Sequence, residues 1–486
     1  MPPNELRQKI EGFLEACPAP LLCEPGEESL AITADNFLLE ERNDGLSLQA
    51  WDDRRNLVRR VSGIEQETRG KLVLRIERFG KRTGTLALID PRRAGGQNVT
   101  LLNARLELRE LFRRFLRRQF PAYKLADLTT EADLEHSLSP AYPRALLRQG
   151  ASAWAAIGAA PDGTHGDGVL TFGLIWLDYL RQREPGLAIH GLILYLPAGW
   201  EKTTCLRLLF LNPAVAQYAA FVYTEDGAEE RIDLRDYGNL DTRLEPCRRR
   251  LPSELDRYLV PLRELPSVET LERADGELSL RVHGAEFART AGDSLLFGLH
   301  ARRKAGSRDA AEVRRLAEEL SRLRSPDALD RQNPLFLRNP EAWLESQVRS
   351  QIEAIDARLL PAPIYGQVPA FAAAGRGVLD LLAVDRQGRL AVIELKASED
   401  IHLPLQALDY WMRVKWHLAR REFSANGYFP ALELCLEPPR LLLVSPALDL
   451  HPSNERVLRY LSPDIEIERV GVSLEWRKEL KSMFRS

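Results

Sequence analysis

The strongest constraint in the sequence is a pair of neighbouring apolar segments, each interrupted by one acidic residue. Residues 377–384 read Gly-Val-Leu-Asp-Leu-Leu-Ala-Val, and residues 390–395 read Leu-Ala-Val-Ile-Glu-Leu. Short apolar runs separated by turn residues predict two buried strands joined as a hairpin. If the hairpin is centred on Gln387, Asp380 on the first strand lies opposite Glu394 on the second.

Two facing carboxylates inside an apolar hairpin are unfavourable unless a cation neutralises them. Mg²⁺ suits such a pair, because it binds one or two carboxylates and completes its shell with waters and phosphate oxygens. Side-chain alternation places Lys396 on the face of Glu394. An ammonium there can hold an attacking water and offset charge in a phosphoryl transition state. The alternative is an acidic pair at an exposed sheet end beside a surface lysine.

Two predicted helices flank the hairpin. Asn339 before Pro340 is typical of a capped helix start, and Glu345 borders the apolar stripe of that helix. Glu345 is explained equally well as an exposed helix residue. A second helix begins near Pro404, and its polar side carries Gln406, Tyr410, Arg413 and His417 at helical spacing.

Residues 340–475 resemble the nuclease domain of the PD-(D/E)XK superfamily, whose core is a helix, three strands, a helix and a strand. Asp380, Glu394 and Lys396 match its metal-site motif, although Leu379 stands where many members carry Pro. Glu345 matches an acid on the first helix of some members, and residues 390–410 are also similar to NucS-type endonucleases. Gln406 and Tyr410 match the Gln-x-x-x-Tyr helix of RecB-type members.

The resemblance implies a role for each matched residue. Asp380, Glu394 and the carbonyl of Leu395 would bind Mg²⁺ or Mn²⁺, and Lys396 would assist the water. Glu345 would tune the site, and Gln406 and Tyr410 would position it or the strand.

The rest of the chain predicts an α+β multidomain protein. Its 486 residues suggest about three domains. Strands are predicted at 36–40, 46–51, 57–64, 71–79 and 84–89, with Asp44-Gly45 as a hairpin turn. Later elements are helices at 103–119, 171–181 and 310–323 and strands at 187–196, 206–211, 277–282 and 294–299, with no internal repeat evident. The predicted units are an N-terminal β-rich, barrel-like module (1–95), a mixed α/β middle module (96–300), a helical linker (301–338) and a restriction-endonuclease-like αβββαβ domain (339–486).

Charge is distributed unevenly along the chain. The net charge is −3, but residues 54–118 contain 18 basic and 6 acidic residues, whereas residues 335–486 contain 19 and 20. Phosphates are therefore expected to bind mainly to the basic stretch. The alternatives are a solvated basic face without a partner and a face that pairs with acidic surfaces of the same chain. The candidate phosphate ligands are Arg54, Arg55, Arg59, Arg113, Arg117 and, from the C-terminal domain, Arg413.

Five scattered cysteines without a CxxC pair argue against a zinc ribbon or a disulfide framework. The N-terminus shows no signal peptide, and no apolar segment reaches the ~20 residues that span a bilayer. We therefore expect a cytoplasmic protein without a membrane partner; a homodimer is compatible with the sequence. The predicted function is Mg²⁺-dependent DNA endonuclease in repair or defence. The alternative is a catalytically inactive nuclease-like protein that binds nucleic acid or docks to another protein.

Overall fold

The computed structural model describes most of the chain. In these residues the protein is mixed α/β, with twelve α-helices and four sheets. None of the described helices is long and apolar enough to cross a bilayer. The described residues are 2–17, 20–24, 30–33, 36–42, 45–51, 56–68, 70–78, 82–90, 97–133, 135–160, 168–224, 227–238, 240–248, 255–273, 275–299, 302–306, 309–372 and 375–486.

The first sheet is an antiparallel array that curls into a half-barrel. All five strands predicted here are confirmed, and two short strands precede them. Leu6 and Ile10 of the first helix pack into its core. Arg42 pairs with Gly45 across the predicted hairpin, whose residues 43 and 44 lie outside the described part. The elements are α1 (Pro3–Ala16), β1 (Leu21–Cys23), β2 (Leu30–Ala31), β3 (Phe37–Arg42), β4 (Gly45–Trp51), β5 (Asn56–Thr68), β6 (Lys71–Arg78) and β7 (Arg82–Ile89).

The second sheet belongs to the middle of the chain. Its order is β13-β12-β11-β10-β9-β8. Strands β8, β9 and β10 form an antiparallel meander, β10, β11 and β12 are parallel, and β13 is antiparallel to β12. The elements are α2 (Gln97–Gln119), β8 (Lys124–Thr129), β9 (Arg144–Gln149), β10 (Ser152–Gly158), α3 (Val169–Arg183), β11 (Ala188–Pro197), α4 (Lys202–Leu208), β12 (Gln217–Tyr223) and β13 (Glu229–Arg231).

The predicted strand at 206–211 is wrong. Its first half belongs to α4, and the rest forms the turn after that helix. Short apolar runs do not distinguish a strand from a buried helix. Here Thr204, Cys205 and Leu208 are buried at helical spacing, so the helix is favoured by packing.

The predicted middle module and the predicted linker together contain a third sheet, whose last strand, β19, lies in the linker, and the module also contains one strand of the fourth sheet. Five antiparallel strands, β15 to β19, pack against the helix predicted at 310–323, which is confirmed. The two-residue strand β14 instead pairs with β20 of the last sheet. The elements are a 3-10 helix (Leu234–Asp236), β14 (Arg243–Leu244), α5 (Asp256–Arg263), β15 (Val268–Glu272), β16 (Leu278–Val282), β17 (Ala285–Ala291), β18 (Ser294–Phe297), β19 (Arg303–Lys304) and α6 (Ala310–Leu323).

The last sheet has the order β14-β20-β21-β22-β23-β24-β25. Strands β20, β21 and β22 form an antiparallel meander, β22, β23 and β24 are parallel, and β25 is antiparallel to β24. The elements are α7 (Pro334–Leu337), α8 (Pro340–Ser350), α9 (Ile352–Ile355), β20 (Tyr365–Ala372), β21 (Gly375–Val384), β22 (Leu390–Leu395), α10 (Leu403–Ala419), α11 (Glu422–Ala425), β23 (Arg440–Pro446), α12 (Pro452–Leu458), β24 (Ile467–Val472) and β25 (Ser482–Arg485).

The local predictions for this region are confirmed in two respects. The side chain of Asn339 accepts a hydrogen bond from the Ala342 amide at 3.1 Å, so it caps α8. The hairpin pairs Leu381 with Ile393, which is the register that places Asp380 opposite Glu394.

The middle and C-terminal sheets share one hydrophobic core. Helices α3 and α4 of the middle sheet pack against α10 and α12 of the last one. At this contact the Arg207 guanidinium forms two hydrogen bonds, of 2.9 and 2.7 Å, with the carboxylate of Asp409. The functional candidates therefore lie on a sheet that is supported from the middle of the chain.

Candidate active site

Asp380 and Glu394 lie side by side on the central strands of the last sheet. The Oδ2 atom of Asp380 accepts a hydrogen bond of 2.8 Å from the amide of Leu395. Glu394 is only 3% exposed, and its Oε2 atom has no hydrogen-bond partner among the described residues. A buried carboxylate oxygen without a partner is uncommon, because its desolvation is costly.

Burial perturbs both carboxyl groups in the same direction. It raises the pKa of Asp380 to about 6, with the nearby Glu341 adding to the shift and Lys396 opposing it. Burial also raises the pKa of Glu394 well above its usual range, and the negative charge of Asp380 raises it further. These surroundings disfavour the charged forms of both acids. A bound cation would offset that cost, because it stabilises the negative charges.

Lys396 lies at the centre of the acidic groups. Its Nζ atom is 3.7 Å from Asp400 Oδ2, 3.8 Å from Glu341 Oε1 and 3.9 Å from Glu394 Oε1. Burial alone would lower the pKa of Lys396, but Glu341 and the other acids together raise it well above the usual value. The ammonium is therefore charged at neutral pH, and its position depends on the carboxylates around it.

Glu341, rather than Glu345, is the residue of α8 that reaches this cluster. Glu345 is paired with Arg349 and lies 3.6 Å from the Arg281 guanidinium of β16. The structure therefore places Glu345 against Arg281 and Arg349, apart from Lys396. The two glutamates are one helical turn apart, so they share a face of the helix. This spacing is a sequence signal that could have pointed to Glu341. It does not show, however, which of the two glutamates lies beside Lys396.

Helix α10 contributes Gln406 and Tyr410, which are both half-buried. Burial raises the pKa of Tyr410, and the charges of Glu394 and Asp380 raise it further, so the phenol lies within electrostatic reach of the acids. Arg413 and His417 are buried. Arg413 donates to the Asp409 carbonyl at 2.8 Å, and His417 is bonded to Glu422 and Thr242. The predicted polar side of α10 is therefore buried or half-buried and does not face the solvent.

The predicted phosphate-binding arginines are dispersed. Arg54 and Arg55 lie outside the described residues. Arg59 forms an ion pair of 2.8 Å with the buried Glu24, and Arg113 forms one of 2.6 Å with Glu110. Arg117 is exposed on α2. Part of the basic stretch therefore neutralises acids of the same chain.

The cluster offers oxygen ligands only. Among the described residues, no group of three His, Cys, Asp or Glu side chains is arranged to hold a metal ion. Two carboxylates with water and substrate oxygens are nevertheless a usual set for Mg²⁺. Four acids (Asp380, Glu394, Glu341 and Asp400) face one ammonium, and Glu394 Oε2 has no partner. This donor set fits Mg²⁺ or Mn²⁺ better than a softer ion.

No protein-family model matches the chain, and no curated protein matches its sequence.

Proposed function

We propose that the protein is a metal-dependent nuclease, a DNA endonuclease of repair or defence, with a C-terminal domain of the restriction-endonuclease-like type. The observation that carries the proposal is the buried Glu394 carboxylate, whose Oε2 atom has no hydrogen-bond partner in the part of the chain that the structure describes. It lies beside a second perturbed acid, Asp380, and 3.9 Å from the Lys396 ammonium. Clustered acids with raised pKa values and a nearby lysine are typical of phosphoryl-transfer centres.

The topology supports the same proposal. A capped helix, an antiparallel meander, the helix α10 and the parallel strand β23 follow one another in the order that the resemblance implies. The two acids occupy the adjacent strands β21 and β22 of that meander. A similar fold does not define a function on its own, so the proposal depends on the residues of the site.

Each residue of the proposed centre has a distinct role. Asp380, Glu394 and the Leu395 carbonyl would hold Mg²⁺ or Mn²⁺, which polarises the phosphate and activates a water when bound. Lys396 orients that water and stabilises the negative charge that develops on the phosphate. Glu341 fixes the Lys396 ammonium, and Gln406 and Tyr410 position the strand. Glu345 supports α8 through Arg281 and Arg349.

The second candidate function is nucleic-acid binding without cleavage. It is favoured by one observation, the absence of a three-residue metal-ligand group from the described part of the chain. In that case Lys396 serves only to neutralise the buried acids. Manganese titration separates the two candidates, because only the nuclease requires binding that depends on Asp380.

The test is a panel of labelled DNA and RNA substrates incubated with Mg²⁺ or Mn²⁺. We compare the wild type with Lys396→Ala and with Lys481→Ala, whose side chain is 62% exposed and pairs with Glu479 on the surface. We expect Lys396→Ala to lose at least ~100-fold in cleavage rate and Lys481→Ala to retain it. If neither variant differs from the wild type, or nothing is cut, the catalytic assignment is wrong.

A further inference from the structure

The middle and C-terminal sheets are two copies of one fold, although the sequence shows no evident repeat. Both consist of an antiparallel three-stranded meander, a helix, a parallel strand, a helix, a parallel strand and an antiparallel strand. Their parallel strands end alike. Pro197 and Pro446 are the last residues of β11 and β23, and each is followed by an alanine. The amides of Ala198 and Ala447 donate to the carbonyl of the last residue of the neighbouring strand, at 2.8 and 2.9 Å.

The crossover helices confirm this correspondence. Helix α3 carries Leu177-Asp178-Tyr179, and α10 carries Leu408-Asp409-Tyr410. Both aspartates face arginines of the opposite copy. Asp409 pairs with Arg207 of α4, and Asp178 lies 3.9 Å from Arg456 of α12.

The two copies pack through reciprocal contacts. The turns after α4 and α12 have related sequences, Phe210-Leu-Asn-Pro and Tyr460-Leu-Ser-Pro. The Asn212 amide donates to the Tyr460 carbonyl and the Ser462 amide to the Phe210 carbonyl, both at 2.8 Å. Such an exchange is the signature of an isologous interface, in which each half makes the same contact with the other. The halves are therefore related by an approximate two-fold axis.

The correspondence locates the middle copy's counterpart of the proposed centre. The Ala159 amide donates to the carbonyl of Tyr195 at 2.9 Å, as Lys396 does to Val444 at 3.0 Å. Ala159 therefore stands in the place of Lys396. Two residues earlier, Ile157 takes the place of Glu394.

The remaining acid is replaced by a cation. Ile157 pairs with Arg144 across the middle hairpin, so Arg144 stands where the other copy has Asp380. Arg144 is 2% exposed, and its guanidinium donates to the carbonyls of Ser139 and Glu131 at 2.6 Å each. A buried guanidinium repels a divalent cation, and the isoleucine and alanine offer it no ligand. The middle copy therefore cannot form the proposed metal centre.

We propose that this chain is a fused pair of nuclease-like halves, one active and one silent, which works as a monomer and cuts one strand of a DNA duplex. The inference rests on the proposed nuclease function. In a symmetric homodimer, two centres related by an axis cut both strands of a duplex. Here the face that would accept a second copy, formed by α10 and α12, is covered by α3 and α4 of the same chain. Of the two copies, only the C-terminal one retains a centre for cleavage.

The first test measures the products from a supercoiled plasmid with Mn²⁺. We expect open circles to accumulate first, and linear DNA to appear only after many independent nicks. The mass of the full chain is measured by sedimentation, with and without a DNA duplex. The expected mass is that of one 55.0 kDa chain per complex. Linear DNA as an initial product, or a dimer on DNA, would overturn the inference.

The second test uses the corresponding tyrosines as a matched pair. Tyr410→Phe is expected to lower the nicking rate about tenfold, because its hydroxyl helps to position the strand. Tyr179→Phe, at the same place in the silent half, is expected to leave the rate unchanged. Equal losses would show that the middle centre takes part in cleavage. If no DNA is cut, the proposed function fails, whereas the sedimentation result still decides whether the chain stands alone or as a dimer.

Discussion

The middle and C-terminal sheets have the same connectivity but differ in the chemistry of three positions. The C-terminal copy has Asp380, Glu394 and Lys396, and the middle copy has Arg144, Ile157 and Ala159. In the C-terminal copy one carboxylate oxygen is buried without a hydrogen-bond partner among the residues that the structure describes. In the middle copy the apolar replacements join the core shared by both halves. The comparison shows that packing alone maintains this topology, while the chemistry depends on a few side chains.

The two buried acids are unfavourable for folding, and their presence in one copy alone argues that they are retained for function. Buried charges without partners reduce stability. The middle copy shows how the same fold avoids them.

The largest effect is expected at Glu394. Glu394→Gln removes one of the two proposed carboxylate ligands of the metal, and a loss of several kcal/mol of transition-state stabilisation lowers cleavage about 10³-fold. Plasmid nicking under single-turnover conditions measures it. Ile157→Val, at the corresponding position of the middle copy, should leave the rate unchanged. A similar loss in both variants would contradict the assignment of a single centre.

We expect the contact between the two copies to contribute strongly to the free energy of unfolding. Arg207→Ala leaves the carboxylate of Asp409, which is 13% exposed, without its partner, and we expect the free energy of unfolding to fall by about 3 kcal/mol. Urea denaturation measures the change. The exposed pair Arg314–Glu318, at 2.9 Å with both side chains more than half exposed, provides the control. Arg314→Ala should cost about 0.5 kcal/mol or less, and equal losses would argue against a coupled interface.

The two glutamates of α8 should separate catalysis from stability. Glu345→Gln weakens the pairing of Arg281 and Arg349, so unfolding should become easier by about 2 kcal/mol with little change in the rate per folded molecule. Glu341→Gln should lower cleavage about tenfold, because Lys396 loses a contact that orients it. Chemical denaturation and cleavage assays measure both. The reverse pattern would place Glu345 in the site after all.

The smallest effect is a pH-dependent stabilisation. The pKa of Asp380 is raised to about 6 in the folded protein, so the stability that its protonated form contributes is lost as the pH rises through 6. In the absence of metal, Asp380→Asn should therefore raise the free energy of unfolding at pH 8 by about 1–2 kcal/mol. The gain should shrink towards pH 5.

Asp356 provides the control with the opposite sign. Although burial alone would raise its pKa, hydrogen bonds from Arg485, Arg358 and Arg440 hold it well below the usual range. Its contribution to stability is therefore present at neutral pH and is lost on acidification. Asp356→Asn should destabilise the protein at pH 8. If Asp380→Asn also destabilises the protein at pH 8, the surroundings do not shift the pKa values of Asp380 and Asp356 in opposite directions.

Much of the local structure was predictable from the sequence. The five N-terminal strands, the cap at Asn339 and the hairpin register of Asp380 depend on turns and alternation, which act over a few residues. The strand expected at 206–211 was wrong because a short apolar run has no definite period. The sequence alone does not reveal the repeat, because its traces, such as Leu-Asp-Tyr and Pro-Ala, are only two or three residues long. Those traces become significant only when strand pairings align them.

The sequence by itself determined which strands carry acids, and hence that Asp380, Glu394 and Lys396 lie together. These are neighbours within one hairpin, so short-range geometry was sufficient. Only the tertiary structure decided that Glu341, and not Glu345, lies beside Lys396. Glu345 instead lies against Arg281, which is distant in the sequence. The tertiary structure also placed the second copy of the fold against α10. Both outcomes depend on contacts between residues far apart in sequence, and no local pattern encodes such contacts.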